Sequence, residues 1–343
     1  MKRLLNTLYI TSSDRYLSLD GENVVVRSQD EEIGRVPLHN LEAIVTFGYA
    51  GASPALMGAC AKRNIELSFL TPSGRFLARV SGEVRGNVTL RKEQYRISED
   101  REKCLPIARN FITGKVYNAR WVLERAARDY PLRLDTEKLK VKSAFLADGI
   151  SNIRKSGSPE ELLGLEGEAA AVYFSVFDDL ILQQKESFNF RGRSRRPPMD
   201  AVNAMLSFAY TLLAGMCGSA LEAVGLDPYV GFFHTDRPGR MSLALDMMEE
   251  LRAVMADRFV LTMINKRMVG PEEFTKKEDG AVIMDDETRK QFLASWQAKK
   301  AETIRHPFLD EKMEWGMVPY AQALLLARMI RGDLDDYPPF FWK

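Results

Sequence analysis

The hydrophobic period changes once along this chain, near residue 90. Before that point, apolar residues alternate in short runs separated by turn clusters. Beyond it, they recur at three- and four-residue steps in long segments rich in Ala, Leu, Arg, Glu and Lys. One segment cannot satisfy both a two-residue and a 3.6-residue period. The chain is therefore predicted to be α+β. A small β-rich domain over residues 1–88 is joined by a linker at Val84-Arg85-Gly86-Asn87 to a larger all-α domain over 89–343.

In the first domain, Thr7–Thr11 alternates like a strand. Arg15–Leu19 and Val24–Val26 flank Asp20-Gly21-Glu22-Asn23 as a hairpin. Leu41–Phe47, Ile65–Leu70 and Arg75–Val80 are further strands, the last entered through Pro72-Ser73-Gly74. Ser53-Pro54 opens a helix, with serine as cap and proline in the first turn. No catalytic constellation is visible here, which suggests an interaction or dimerisation module. His39 reads as a structural loop residue.

The chemistry lies in the second domain. Ser158-Pro159-Glu160-Glu161 is a capping box. The helix it starts carries Glu166 among small and apolar residues. Further on, Gly231-Phe232-Phe233-His234 precedes a Pro238-Gly239 turn, and helical spacing runs from Ser242 to Phe259. On that helix Asp246 lies three residues from Glu249 and four from Glu250, so either pair shares a face. Like charges so placed repel, and Asp246 also sits within an apolar run. A carboxylate there requires a partner, and a cation would serve. Imidazole with carboxylates suits Mg²⁺ or Mn²⁺. Glu166 is the candidate third ligand beside His234 and Asp246. The plainer reading is a solvated acidic face with a loop histidine.

Phe190-Arg191-Gly192-Arg193-Ser194-Arg195-Arg196-Pro197-Pro198 places four guanidinium groups in a loop that two prolines keep from being helical. Guanidinium matches phosphate bidentately, so Arg191, Arg193, Arg195 and Arg196, with Arg237 and Arg240, are the candidate DNA contacts. A loop that is merely soluble is the alternative. Net charge is only +1, which argues against a surface coated in positive charge but leaves room for a local basic channel. Asp200–Ala220 is an apolar, central helix in which Asn203 must find a polar partner. A hairpin is expected around Asp279-Gly280, a helix over Glu287–Arg305 and a last helix over Tyr320–Ile330. His306 reads as structural, and the aromatic tail Tyr337–Lys343 should dock on its own domain. The three cysteines have no metal or redox spacing, as expected in a reducing cytoplasm. No transmembrane run is evident and the start turns polar too early for a signal peptide.

Four motifs in this order resemble the CRISPR-associated endonuclease and integrase family, Cas1. They are Leu163-Gly164-Leu165-Glu166-Gly167-Glu168, the Arg-rich loop running into Asn203-Ala204-Met205-Leu206-Ser207, Gly231-Phe232-Phe233-His234, and Leu245-Asp246-Met247-Met248-Glu249. The Arg-Arg-Pro-Pro loop and Tyr-Pro-Pro-Phe ending are similar to the type I-C branch. The resemblance implies a homodimer formed through the β-rich domain and a heterotetramer- or hexamer-type complex with the small protein Cas2. It implies action on double-stranded and branched DNA, with short foreign fragments inserted into the CRISPR array by 3′-OH attack. It also implies a Mg²⁺ or Mn²⁺ site of Glu166, His234 and Asp246, with Glu249 as a second acidic position orienting a bound water. A catalytically silent DNA-binding scaffold and a small-phosphoester hydrolase are the competing readings.

Overall fold

The computed structural model describes residues 7–343 except 30, 64, 72–75, 81, 83–87 and 195–196. The expected linker 84–87 and the Pro72-Ser73-Gly74 turn therefore lie outside the described residues. The chain forms two compact units.

The first unit takes the chain up to Arg85 together with Met284–Glu302 and Glu314–Met317. Its strands are β1 (Thr7–Ile10), β2 (Arg15–Asp20), β3 (Asn23–Ser28), β4 (Glu31–Pro37) and β5 (Ala43–Phe47), followed by helix α1 (Pro54–Arg63), then β6 (Glu66–Leu70) and β7 (Phe76–Arg79). β2, β3 and β4 form an antiparallel meander; β1, β5, β6 and β7 form a second sheet, with β5 parallel to both β1 and β6. β4 was not evident in the sequence. Its run Glu31-Glu32-Ile33-Gly34-Arg35 is charged and exposed, so pairing with β3 defines it rather than hydrophobic alternation. The core is aliphatic, with Leu17, Val24, Leu38, Ile44, Leu56 and Leu67 all fully buried. Ser53 caps α1 by accepting the Leu56 N–H at 3.2 Å.

The second unit is helical: α2 (Val88–Ser98), α3 (Arg101–Asp129), α4 (Thr136–Lys155), α5 (Pro159–Phe174), α6 (Ala201–Ala223), α7 (Ser242–Leu251) and α8 (Arg258–Asn265). After α8 comes the short hairpin β8 (Phe274–Lys276) and β9 (Val282–Met284). Helix α9 (Asp286–Ala301) returns to the first unit, burying Phe292, Leu293 and Trp296 there. Hydrophobic period alone does not reveal that return, because it records that a face is apolar and not what it meets. The strands β10 (Thr303–Arg305) and β11 (Lys312–Glu314) follow, then α10 (Val318–Ile330).

The caps work as the sequence suggests. The Ser158 hydroxyl accepts the Glu161 N–H at 3.1 Å, and the Glu161 carboxylate accepts the Gly157 N–H at 2.6 Å. Helix α3 packs along α4, α5 and α7, and α6 packs on α7 and α10. Helix α6 is long and apolar enough to cross a membrane by length and composition, but 67% of that apolar stretch is buried inside the protein. It is a core helix. All three cysteines are buried and free.

The aromatic tail docks on its own unit. Asn118 on α3 donates to the carbonyls of Glu250 and Phe340 at 2.6 and 2.7 Å and accepts the Trp342 N–H at 2.9 Å. The Trp342 ring lies 4.0 Å from the Arg125 guanidinium and 4.2 Å from that of Arg258. His306 is fully buried. Its Nδ1 accepts the Phe308 and Leu309 N–H groups, and its Nε2 meets Gln322 at 2.9 Å, as a structural histidine should.

Candidate active site

Helix α7 buries three carboxylates, Asp246, Glu249 and Glu250, and none is more than 3% exposed. An unpaired buried carboxylate costs several kcal/mol, so each must be compensated. The three compensations differ, and they divide the site.

Asp246 is enclosed by the loop before the helix. Its Oδ2 accepts the Phe232 and Phe233 N–H groups at 2.7 and 2.9 Å; its Oδ1 accepts the His234 N–H at 2.9 Å and lies 2.7 Å from His234 Nδ1. The loop approaches this closely because residue 231 is glycine. A Cβ there would lie 2.9 Å from Asp246 Oδ2 and 2.8 Å from the His234 carbonyl. The carboxylate fixes the imidazole proton on Nδ1 and leaves the Nε2 lone pair free, the arrangement that suits a histidine ligand.

Glu249, one turn further on, is compensated by cations. Arg252 reaches its Oε1 at 3.1 Å and Lys115 of α3 reaches its Oε2 at 2.8 Å. Burial pushes its carboxyl up, but Arg252 and Lys115 outweigh that and hold it down at about 2. The same Lys115 ammonium bonds Glu166 of α5. Lys115 comes within reach because its neighbour is Gly114, where a Cβ would lie 2.9 Å from that of Glu250. Neither Lys115 nor Arg252 stood out in the sequence. A buried lysine beside glycine on a helix packed against an acidic one was the available signal.

Glu250 faces the opposite way. It accepts Gln322 at 2.9 Å, the Phe340 N–H at 2.8 Å and the Tyr337 hydroxyl. Burial pushes its carboxyl up to about 7 despite those bonds. It anchors the tail and is closed to ligands.

Beyond Glu249 the helix widens into a π-helical turn, Arg252–Asp257, where one continuous α-helix was expected. Tyr210 donates to Asp257 at 2.5 Å, and burial pushes the Asp257 carboxyl up to about 6.

Among the described residues, no three of His, Cys, Asp and Glu stand close enough to hold a metal ion as they are. The donor set nevertheless fits one. Glu166 and Glu249 already converge on the Lys115 ammonium, Glu249 is buried, and His234 Nε2 is oriented and free. Asp246 has four donors on its two oxygens and is fully buried, which fits holding the histidine better than binding an ion.

The basic residues diverge. Arg191 and Arg237 are exposed. Arg193, expected to meet phosphate, instead donates to the Ser194 carbonyl at 2.6 Å, Asn203 Oδ1 at 2.5 Å and Ser207 at 3.1 Å. Asn203 completes that knot by donating to the Gly192 carbonyl at 2.8 Å and to Asp200 at 2.7 Å. These two residues shape the loop. Arg240 is likewise tied to Thr235. Arg195 and Arg196 lie outside the described residues.

The family profile of CRISPR associated protein Cas1 matches residues 8–298. The chain is 48% identical to CRISPR-associated endonuclease Cas1 1 of Chlorobaculum tepidum, over 100% of both chains. Its fold superposes on a casposase bound to integration product with a TM-score of 0.84, at 24% identity over 98% of this chain and 94% of that one. It also superposes on a chain of a Cas6-RT-Cas1–Cas2 complex with a TM-score of 0.82, at 20% identity over 98% of this chain and 36% of that one. The chain belongs to the Cas1 family of CRISPR-associated proteins, whose relative here is named an endonuclease.

Proposed function

We propose that this protein is a metal-dependent DNA endonuclease and integrase whose centre is formed by Glu166, Glu249 and His234, with Asp246 holding the histidine. One observation carries the reading: two carboxylates from different helices converge on one cation, beside an imidazole whose distal nitrogen is oriented and free. This exchanges the roles that the sequence suggested for Asp246 and Glu249.

A Mg²⁺ or Mn²⁺ ion bound there would supply Lewis-acid activation of the attacking oxygen and neutralise charge at the phosphoryl group. The chain's own residues do the rest. Asp246 keeps the His234 proton on Nδ1. Arg252, set between Glu249 and the Tyr210 ring at 4.8 Å, keeps the Glu249 carboxylate ionised and aimed. Arg191 and Arg237 offer exposed guanidinium groups to flanking phosphates. Water as nucleophile gives cleavage, and a DNA 3′-OH gives strand transfer.

The casposase bound to integration product and the Cas1–Cas2 complex support extending this to double-stranded and branched DNA and to a Cas2 partner. A homodimer built through the β-rich unit, a type I-C setting and a cytoplasmic location complete the proposal. The test is Mn²⁺-dependent cleavage and strand transfer on branched DNA. His234→Ala should abolish both while the melting temperature stays near wild type. No cleavage with or without Mn²⁺ would favour the catalytically silent scaffold, whereas metal-independent cleavage, or full activity in the variant, would refute this metal centre.

A further inference from the structure

We propose that Lys115 is a built-in stand-in for the divalent ion. Its ammonium holds the Glu166 and Glu249 carboxylates together before metal arrives and then gives way, so this side chain sets how tightly the metal is held. The inference rests on the metal-centre reading above.

The geometry supports displacement over permanent neutralisation. Lys115 comes from α3, Glu166 from α5 and Glu249 from α7, so the ammonium is a point where three helices meet through charge. All three side chains are largely buried, with 13% of Lys115, 18% of Glu166 and 4% of Glu249 exposed. Without the ammonium, Glu166 would lose its ion pair and Glu249 would keep only Arg252 in a low-dielectric setting. With both the ammonium and a divalent ion, the place would hold excess positive charge. One cation must therefore yield.

The two cations of the cluster are unequal in this respect. Arg252 is held at a fixed angle, with its planar group 3.1 Å from Glu249 Oε1 and 4.8 Å from the Tyr210 ring centre. Lys115 is a point charge on a flexible four-carbon stem, the type of side chain that moves at small cost. One ammonium makes both contacts, to Glu249 Oε2 at 2.8 Å and to Glu166, so a single side-chain rotation frees both acids. Lysine thus keeps the acids poised without competing as strongly as a bidentate guanidinium would.

The experiment titrates Mn²⁺ alone into the full chain by electron paramagnetic resonance, with melting curves in EDTA and in Mn²⁺. Four proteins are compared: wild type, Lys115→Gln, Lys115→Arg and Glu166→Gln. Lys115→Gln should bind Mn²⁺ about tenfold more tightly or better, melt lower in EDTA, and gain more from Mn²⁺ than wild type. Lys115→Arg, which keeps the charge and grips both acids, should bind Mn²⁺ several-fold more weakly, and it serves as the deciding variant if Lys115→Gln does not fold. Equal or weaker Mn²⁺ affinity in Lys115→Gln, or unchanged affinity in Lys115→Arg, would overturn the displacement idea while a Glu166-dependent site in wild type left the metal centre standing. Loss of no site in Glu166→Gln would overturn both.

Discussion

Replacing Asp246 by asparagine separates a ligand from a positioning residue. The carboxylate accepts four hydrogen bonds, three from consecutive backbone N–H groups and one from His234 Nδ1, at 2.7–2.9 Å. Asparagine keeps one oxygen and turns the other into a donor. The less costly rotamer keeps the oxygen on Phe232 and Phe233. The new NH₂ then faces the His234 N–H and forces Nδ1 to accept, moving the imidazole proton to Nε2. Hydrogen bonds to a charged group contribute about 1.5–3 kcal/mol each, and a buried donor left unpaired costs about 1–3 kcal/mol. One lost bond, one orphaned N–H and two weakened contacts together amount to roughly 3 kcal/mol. At about 2–4 °C per kcal/mol for a unit of this size, the melting temperature should drop by roughly 6–12 °C. Mn²⁺ binding should weaken because Nε2 is now protonated. Glu249→Gln should instead lose Mn²⁺ binding outright. Differential scanning fluorimetry and Mn²⁺ titration read the two effects. An Asp246→Asn protein that melts within about 1 °C of wild type, beside a Glu249→Gln protein with intact Mn²⁺ affinity, would refute this division of labour.

Two further outcomes are expected. Arg191→Glu and Arg237→Glu should leave the melting temperature unchanged and lower the salt dependence of DNA binding by about one unit of slope per lost phosphate contact; Arg193→Ala should lower the melting temperature, since it removes three bonds of the loop. Thermal stability should also fall as pH rises from about 4 to 7 in metal-free buffer. Burial raises Glu250 from 4.5 to about 7 and Asp257 from 3.8 to about 6, so the stability each contributes is fully present below its unfolded value and is lost as pH rises through its folded value. Glu249 runs in the opposite sense, losing its contribution only as pH falls towards about 2. A Glu250→Gln variant should show the shallower profile, and an equal slope in both proteins would contradict the argument.

The sequence disclosed much of this, for physical reasons. Alternation and helical period depend on near neighbours, so β2, β3, α5 and α6 could be read directly. Ser158, Asp200 and Ser53 act as caps through residues three positions away. Glu166 and Asp246 stood out because charge within apolar surroundings demands a partner, His234 because it lies just upstream of the acidic helix, and Glu249 through its spacing from Asp246 and the family resemblance. What could not be read was which partner each would find. Lys115 lies more than one hundred residues from Glu249, and four backbone and ring donors on Asp246 depend on a loop folding back over it. Arg193 illustrates the converse: its composition suggested phosphate, whereas Asn203 ten residues on captures it.

Glu249 and Glu250 are successive residues of one helix, yet they serve opposite sides. One is drawn to Lys115 and Arg252, the other to Gln322, Tyr337 and Phe340. Neighbouring side chains on a helix point about 100° apart, so fixing one fixes the azimuth of the other. The aromatic tail that ends the chain, by holding Glu250, therefore also sets the direction in which Glu249 leaves α7.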